Sequence, residues 1–137
     1  MSTAQATRFM LDTNIISHIM QGRDGALLGK LASIQVGSAV ISSVTLAEIE
    51  YGLHRKGHPP RLQAALDQIL LRMDVLPWDE PVARCYGELC SALEARGISL
   101  SDMDMMIAAH AVAVNATLVS RNRAFAQATE RVAVEVW

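Results

Sequence analysis

The sequence predicts an α/β domain, a three-layer α/β/α sandwich around a central parallel sheet. Three observations lead there. Short apolar runs without polar alternation recur along the chain and stop at polar residues, the pattern of strands covered on both faces. Helical patterns fill the gaps between them, and strands alternating with helices imply right-handed crossovers. One late segment, residues 102–114, is apolar almost all round, as a central helix with protein on most sides should be.

The elements follow in order. Residues 8–11 form the first strand, which ends abruptly in Asp12-Thr13-Asn14 before a second apolar run, 15–20, on an early helix. Residues 25–34 carry Leu27, Leu28, Leu31 and Ile34 at helical spacing. The strand at 39–41 stops at Ser42-Ser43, and a helix over 46–55 follows. Pro60 opens a helix over 61–73, a place proline tolerates because the first turn needs no N–H from it. Val75-Leu76, before Pro77, is a weaker strand. Asp79 starts a long helix that Gly97 ends, with Arg96 in its last turn. The buried helix closes at Asn115, the strand at 116–119 stops before Ser120, and 132–136 is a last, weaker strand.

A chain of 137 residues is read as one domain, 1–137, with a real core and a flexible segment at 1–7. Hydrophobic residues make up 51% and aromatics only 4%, so aliphatic and Met side chains build the core. Some apolar surface is left for partners, and a homodimer is expected. No run approaches the roughly 18 apolar residues of a membrane span, and the polar start does not match a signal peptide. Cys85 and Cys90, five apart on a helix, point away from each other and fit no zinc pattern. They read as reduced thiols of a cytoplasmic protein. A net charge of −2 gives no global basic field, so a polyanion would be held by local cations or by metal.

Each candidate acid has a structural explanation. Asp12 fits a helix cap, Thr45-Leu-Ala-Glu48 fits a capping box, and Ser101-Asp-Met-Asp104 fits its looser form. Taken together they say more. Asp12 follows the first strand, Glu48 sits in the first turns after the second, Asp104 opens the buried helix, and Asn122 lies just beyond another strand end. Parallel strands bring their carboxyl ends to one edge, where open α/β sheets bind ligands. Clustered carboxylates repel unless a cation sits among them. Oxygen ligands without Cys or His suit Mg²⁺ or Mn²⁺. Metal held this way activates water for phosphodiester cleavage.

The stretches "MLDTNIIS", "ISSVTLAEIEYGL", "DMDMMIAAHAVAVNATLVSRNRAF" and "VEVW" resemble PIN-domain proteins. More narrowly they resemble the VapC-like and FitB-like toxin ribonucleases of bacterial toxin–antitoxin pairs, over residues 8–137. The resemblance implies an α/β/α sandwich and a Mg²⁺-dependent endoribonuclease, a hydrolase in which Mn²⁺ can substitute. Its acidic positions fall on Asp12, Glu48 and Asp104, with Asp12 and Asp104 on the metal and Glu48 there directly or through water. Its fourth polar position, often Asp, is Asn122 here. Ser120 matches the family's hydroxyl, and Thr13 is placed with it as a supporting group. Arg121 and Arg123 flank Asn122 and are candidates for RNA phosphate contact. A small, DNA-binding antitoxin is the implied partner, in a higher toxin–antitoxin assembly. Its Arg would reach the acids while an apolar helix lies on residues 15–20 and 25–34.

Other residues read more plainly. His110 is a hydrogen-bonded core or boundary histidine rather than a ligand. The basic run His54, Arg55, Lys56, His58 and Arg61 reads first as a solvated helix end, alternatively as a clamp on RNA phosphates near Glu48. Glu50 lies on another helix face. Two rival functions stand: a catalytically weak binding module with the acids as caps, and a flavodoxin-like domain accepting phosphate on Asp12.

Overall fold

The computed structural model describes residues 7–137, so the flexibility expected at 1–7 falls, Thr7 apart, outside the described residues. The elements are β1 (Phe9–Leu11), α1 (Thr13–Gln21), α2 (Gly25–Ser33), β2 (Ala39–Ser42), α3 (Ser43–Arg55) and α4 (Pro60–Arg72). They continue with β3 (Asp74–Leu76), α5 (Glu80–Ala95), α6 (Asp102–Ala113), β4 (Thr117–Val119), a 3-10 turn (Arg123–Ala128) and β5 (Val134–Glu135).

The five strands form one sheet in the order β3-β2-β1-β4-β5, every pair parallel. Side chains alternate across it, as a period of two requires. Met10, Val40 and Leu118 pack with Leu89, Leu93 and the interior of α6 on one face. Leu11, Ile41 and Val119 pack with Ile15, Ile49, Leu66 and Ile69 on the other. Two apolar clusters separated by a sheet make the expected three layers. In α6 the residues Met105, Ile107, Ala108, Ala109, His110 and Ala111 are all buried, which explains its missing polar face.

Helix starts are set by side-chain caps. Asp12, Asp24, Ser42, Asp79 and Ser101 each accept a hydrogen bond from the first turn of their helix. The cap at Ser42 starts α3 at Ser43, three residues before the apolar periodicity becomes visible. Thr45 is therefore inside the helix and fully buried, and the capping box expected from Thr45 to Glu48 does not form. Gly97 closes α5 at φ 71, where Ile98 donates back to the Leu93 carbonyl at 2.9 Å.

One expectation about leftover apolar surface is corrected. Ile15, Ile16 and Met20 on α1 are buried in the core and offer nothing to a partner. On α2, the other expected helix, Leu28 is exposed, and further exposed apolar side chains include Val36 in the following loop and Leu70 and Leu71 at the end of α4. A cavity of about 550 Å³ lies between α2, Ala39 and the stretch Leu71–Met73. Cys85 and Cys90 are free thiols, each partly buried. Among the described residues, no helix is long and apolar enough to cross a membrane.

Candidate active site

Along the sheet, chain order runs outward from β1 to β2 and β3 on one side and resumes at β4 on the other. The order reverses between β1 and β4, which opens a crevice beyond their carboxyl ends. Asp12 follows β1 there, and its N–H is held by the Val119 carbonyl of β4 at 3.1 Å. Ser120 and Asn122 follow β4.

Asp12 is only 5% exposed. Its Oδ1 accepts from the Ile15 N–H at 2.9 Å and caps α1. Burial pushes its pKa above the ordinary 3.8, and the nearby Asp104 charge pushes the same way. The Ser120 hydroxyl, the Ile15 N–H and His18 pull it back. A buried carboxylate that still resists ionisation, next to a second carboxylate, is the electrostatic state a cation relieves.

Asp104 lies in the first turn of α6, where Ser101 Oγ accepts from its backbone N–H at 3.2 Å. The capping half of that motif holds, but the Asp104 side chain does not reach back to the cap. Its Oδ2 accepts instead from Asn122 Nδ2 at 2.9 Å. The Asn122 amide is fixed from both ends. The Ala124 N–H can only donate and lies 3.0 Å from Oδ1, so the nitrogen must face Asp104. Asn122 N–H donates to Ser120 Oγ at 3.0 Å. Asn122 thus orients Asp104, with its own oxygen committed to the 3-10 turn it caps.

Glu48, half-buried on α3, accepts from Thr13 Oγ1 at 2.5 Å. Thr13 adjoins Asp12 on α1, so this bond ties the two acid-bearing helices together over 35 residues of chain. Of the three acids only Asp12 caps a helix with its side chain, which removes the caps-only account for Glu48 and Asp104. Arg121 does not fit its expected role. Its Nη2 lies 2.7 Å from Asp24 Oδ2 and its Nε donates to the Trp137 carbonyl at 2.6 Å. The guanidinium is spent joining the α2 cap to the chain end. Arg123 stands exposed beside Asn122.

His110 is fully buried and 2.7 Å from Ser42 Oγ through Nδ1. Burial holds its pKa below the usual 6.5, so it is neutral at physiological pH and structural. Ser42, which caps α3 and anchors His110, was not singled out from the sequence, although a serine between strand and helix is a recognisable cap signal.

Among the described residues, no three His, Cys, Asp or Glu side chains converge tightly enough to enclose an ion by themselves. The donors that do gather, Asp12 and Asp104 with Glu48 one residue removed through Thr13, are all oxygen. That set suits a hard divalent cation which keeps several waters and takes further oxygens from a phosphate. The strand order also separates this sheet from the flavodoxin-like order 2-1-3-4-5, which weighs against the phosphoacceptor alternative.

The PIN domain family model matches residues 9–131. Ribonuclease VapC2 of Rickettsia felis is 34% identical over 115 residues, covering 83% of this chain and 86% of the relative. The tRNA(fMet)-specific endonuclease VapC of Shigella flexneri is 32% identical over 84% of this chain and 86% of its own length. The crystal structure of VapBC2 from Rickettsia felis, bound to a DNA fragment from their promoter, superposes with a TM-score of 0.84 at 30% identity. That match covers 96% of this chain and 99% of the other. With a family model spanning most of its length and a relative this similar, the chain belongs to the PIN-domain family, among the VapC ribonucleases.

Proposed function

We propose that the chain is a Mg²⁺-dependent endoribonuclease, with Mn²⁺ able to substitute, and the toxin of a toxin–antitoxin pair. The observation that carries this reading is Asp12: a buried carboxylate at the sheet's crevice, with the Asp104 charge close enough to repel its own. Asp12 and Asp104 would hold the ion, with Glu48 contributing directly or through water. The bound ion supplies Lewis acidity to the scissile phosphate and eases deprotonation of the attacking water. The chain's own residues do the positioning. Asn122 keeps Asp104 turned toward Asp12, Thr13 keeps Glu48 against α1, and the capped, buried start of α1 limits water around Asp12. Arg123 is the remaining candidate for a phosphate contact at this edge.

The partner is a small protein, in line with the relative solved as a promoter-bound toxin–antitoxin complex. An antitoxin guanidinium would take the place of the ion among the acids. Its apolar segment would cover the exposed Leu28 and Leu71 region beside the cavity between α2 and α4. The remaining apolar surface supports a homodimer, tested by sedimentation of the free protein. A tRNA is the first RNA to try, given the relative's specificity. The test is incubation of purified protein with tRNA, with and without Mn²⁺. Metal-dependent internal cleavage is expected, and intact RNA under both conditions would refute the reading.

A further inference from the structure

A groove between α1 and α3 runs away from Glu48, the one acid that lines it. Along α3, Glu48, Gly52 and Lys56 fall at successive one-turn steps on a single face. Along α1, Thr13, Ser17 and Gln21 do the same, and the six residues line a shared cleft of about 90 Å³ together with apolar neighbours, Ile49 and Leu53 among them. The Thr13–Glu48 hydrogen bond joins the two walls at the acid end. Eight residues of helix separate Glu48 from Lys56, about 12 Å along the axis. Arg61 reaches the Gln21 carbonyl, at 3.4 Å, near the far end.

Gly52 has no backbone reason to be glycine. It lies inside α3, where glycine is unfavourable. A Cβ built there would meet nothing within 4 Å beyond its own stretch of helix. A longer side chain would lean toward the helix N-terminus, over Glu48. What its absence preserves is open space between the acid end and the lysine. Ser17 is the matching small residue on α1. A shallow open groove with a carboxylate at one end, hydroxyl and amide donors along one wall and a cation at its exit suits a strand laid along its mouth, its phosphate near the cation.

We propose that the groove between α1 and α3 seats the RNA strand flanking the scissile phosphate, and that Lys56 holds one of that strand's phosphates. This rests on the nuclease reading and adds to it a positioning residue and a direction for the strand. Gly52 is the gap through which the strand passes.

The test uses the Asp12→Asn protein as a non-cleaving frame, with Mg²⁺ present and a fluorescein-labelled single-stranded RNA oligonucleotide as probe. Adding Lys56→Gln, an exposed change that leaves the core untouched, should weaken binding severalfold. It should also make the dependence of log affinity on log salt shallower by about 0.7, the slope of one phosphate contact to a single strand. Adding Gly52→Met should weaken binding equally while the melting temperature is no lower than that of the frame. Unchanged affinity and salt slope with Lys56→Gln would overturn the proposal. So would variants that bind RNA normally but lose the antitoxin, since the groove would then seat a protein segment. A wild-type protein that cleaves RNA while the groove variants bind it normally refutes the groove alone. A wild-type protein inert toward RNA with Mn²⁺ refutes the nuclease reading.

Discussion

Replacing Asp12 by Asn separates the structural and chemical roles of this residue. As a cap, Asp12 spends one oxygen on the Ile15 N–H, and Asn serves equally well at that position. As a charge, ionised Asp12 opposes folding: its pKa is raised by burial and by Asp104, so the folded state binds a proton more readily than the unfolded chain. The sign follows. Wild-type stability improves as pH falls through the raised value, and the ionised form is a burden at neutral pH. Asp12→Asn keeps the cap and removes the burden, so the variant should melt no lower than wild type at pH ~7. Asp12→Ala loses the cap as well, worth about 1 kcal/mol. For 137 residues the unfolding entropy is roughly 0.3 kcal/mol/K, so the two variants should differ by about 3–4 °C. Both should lose RNA cleavage by at least about 100-fold, the upper range for disturbing even a group that only orients a ligand. Saturating Mn²⁺ should raise the wild-type midpoint by mass action and leave that of Asp12→Asn in place. Thermal melts followed by circular dichroism, with and without Mn²⁺, and a gel-based cleavage assay give all of these readings. An Asp12→Asn protein that cleaves at the wild-type rate, or whose midpoint shifts equally with Mn²⁺, would refute the metal-site reasoning.

Other consequences follow from the same geometry. Asn122→Ala frees Asp104 and should lower both Mn²⁺ affinity and cleavage by about 10–100-fold; isothermal titration with Mn²⁺ would expose an unaffected site. Thr13→Val removes the donor to Glu48 and should reduce cleavage over the same range while leaving the melting midpoint within about 4 °C, or about 1 kcal/mol. His110, held below its usual 6.5 by burial, should contribute full stability above about pH 6.5 and lose it as the pH falls from there toward its depressed folded value. His110→Gln should flatten that acid-side slope in chemical denaturation. The antitoxin should weaken Mn²⁺ binding in the saturated complex, and replacing its site-directed Arg by Ala should restore that binding; equal metal affinity with and without the partner would place inhibition elsewhere.

The sheet was legible in the sequence because buried parallel strands need apolar residues on both faces, and 9–11, 39–41 and 116–119 supply them with Thr117 alone interrupting. The candidate acids stood out from their places in the pattern: Asp12 after a strand, Glu48 in the early turns of the helix that follows another, and Asp104 at the start of the buried helix. Boundaries were less so. The start of α3 is set by Ser42, and an apolar count cannot register a hydroxyl, so the helix was expected three residues late. The 3-10 turn at Arg123–Ala128 has no 3.6-residue period to announce it; the Asn122 cap and the buried Phe125 hold it. Long-range pairs were out of reach altogether. Nothing local to Glu48 names Thr13 as its partner, and nothing near Arg121 names Asp24, whose own pKa is lowered first by the Leu27 N–H and then by that guanidinium. The same blindness made α1 look like spare apolar surface, since periodicity reports that a face is apolar and not which side of the protein it meets.

Capping and the proposed chemistry are not rival explanations of this crevice. Burial and the nearby Asp104 both disfavour the charged form of Asp12, so something must favour it before any ion arrives. Asp12 caps α1, and Asp104 lies in the first turn of α6. Both sit where backbone N–H groups point outward and the partial positive charge of the helix favours an anion, by about 0.3–1 kcal/mol each. A carboxylate placed for capping is therefore already placed in a field that helps it ionise, and parallel topology brings such helix starts to a single edge. The neutral Asn122 then acts in the same direction. It gives Asp104 a hydrogen-bond donor where a fourth carboxylate would add repulsion. In the proposed reading, acids held this way are what an ion and a competing guanidinium would both exploit.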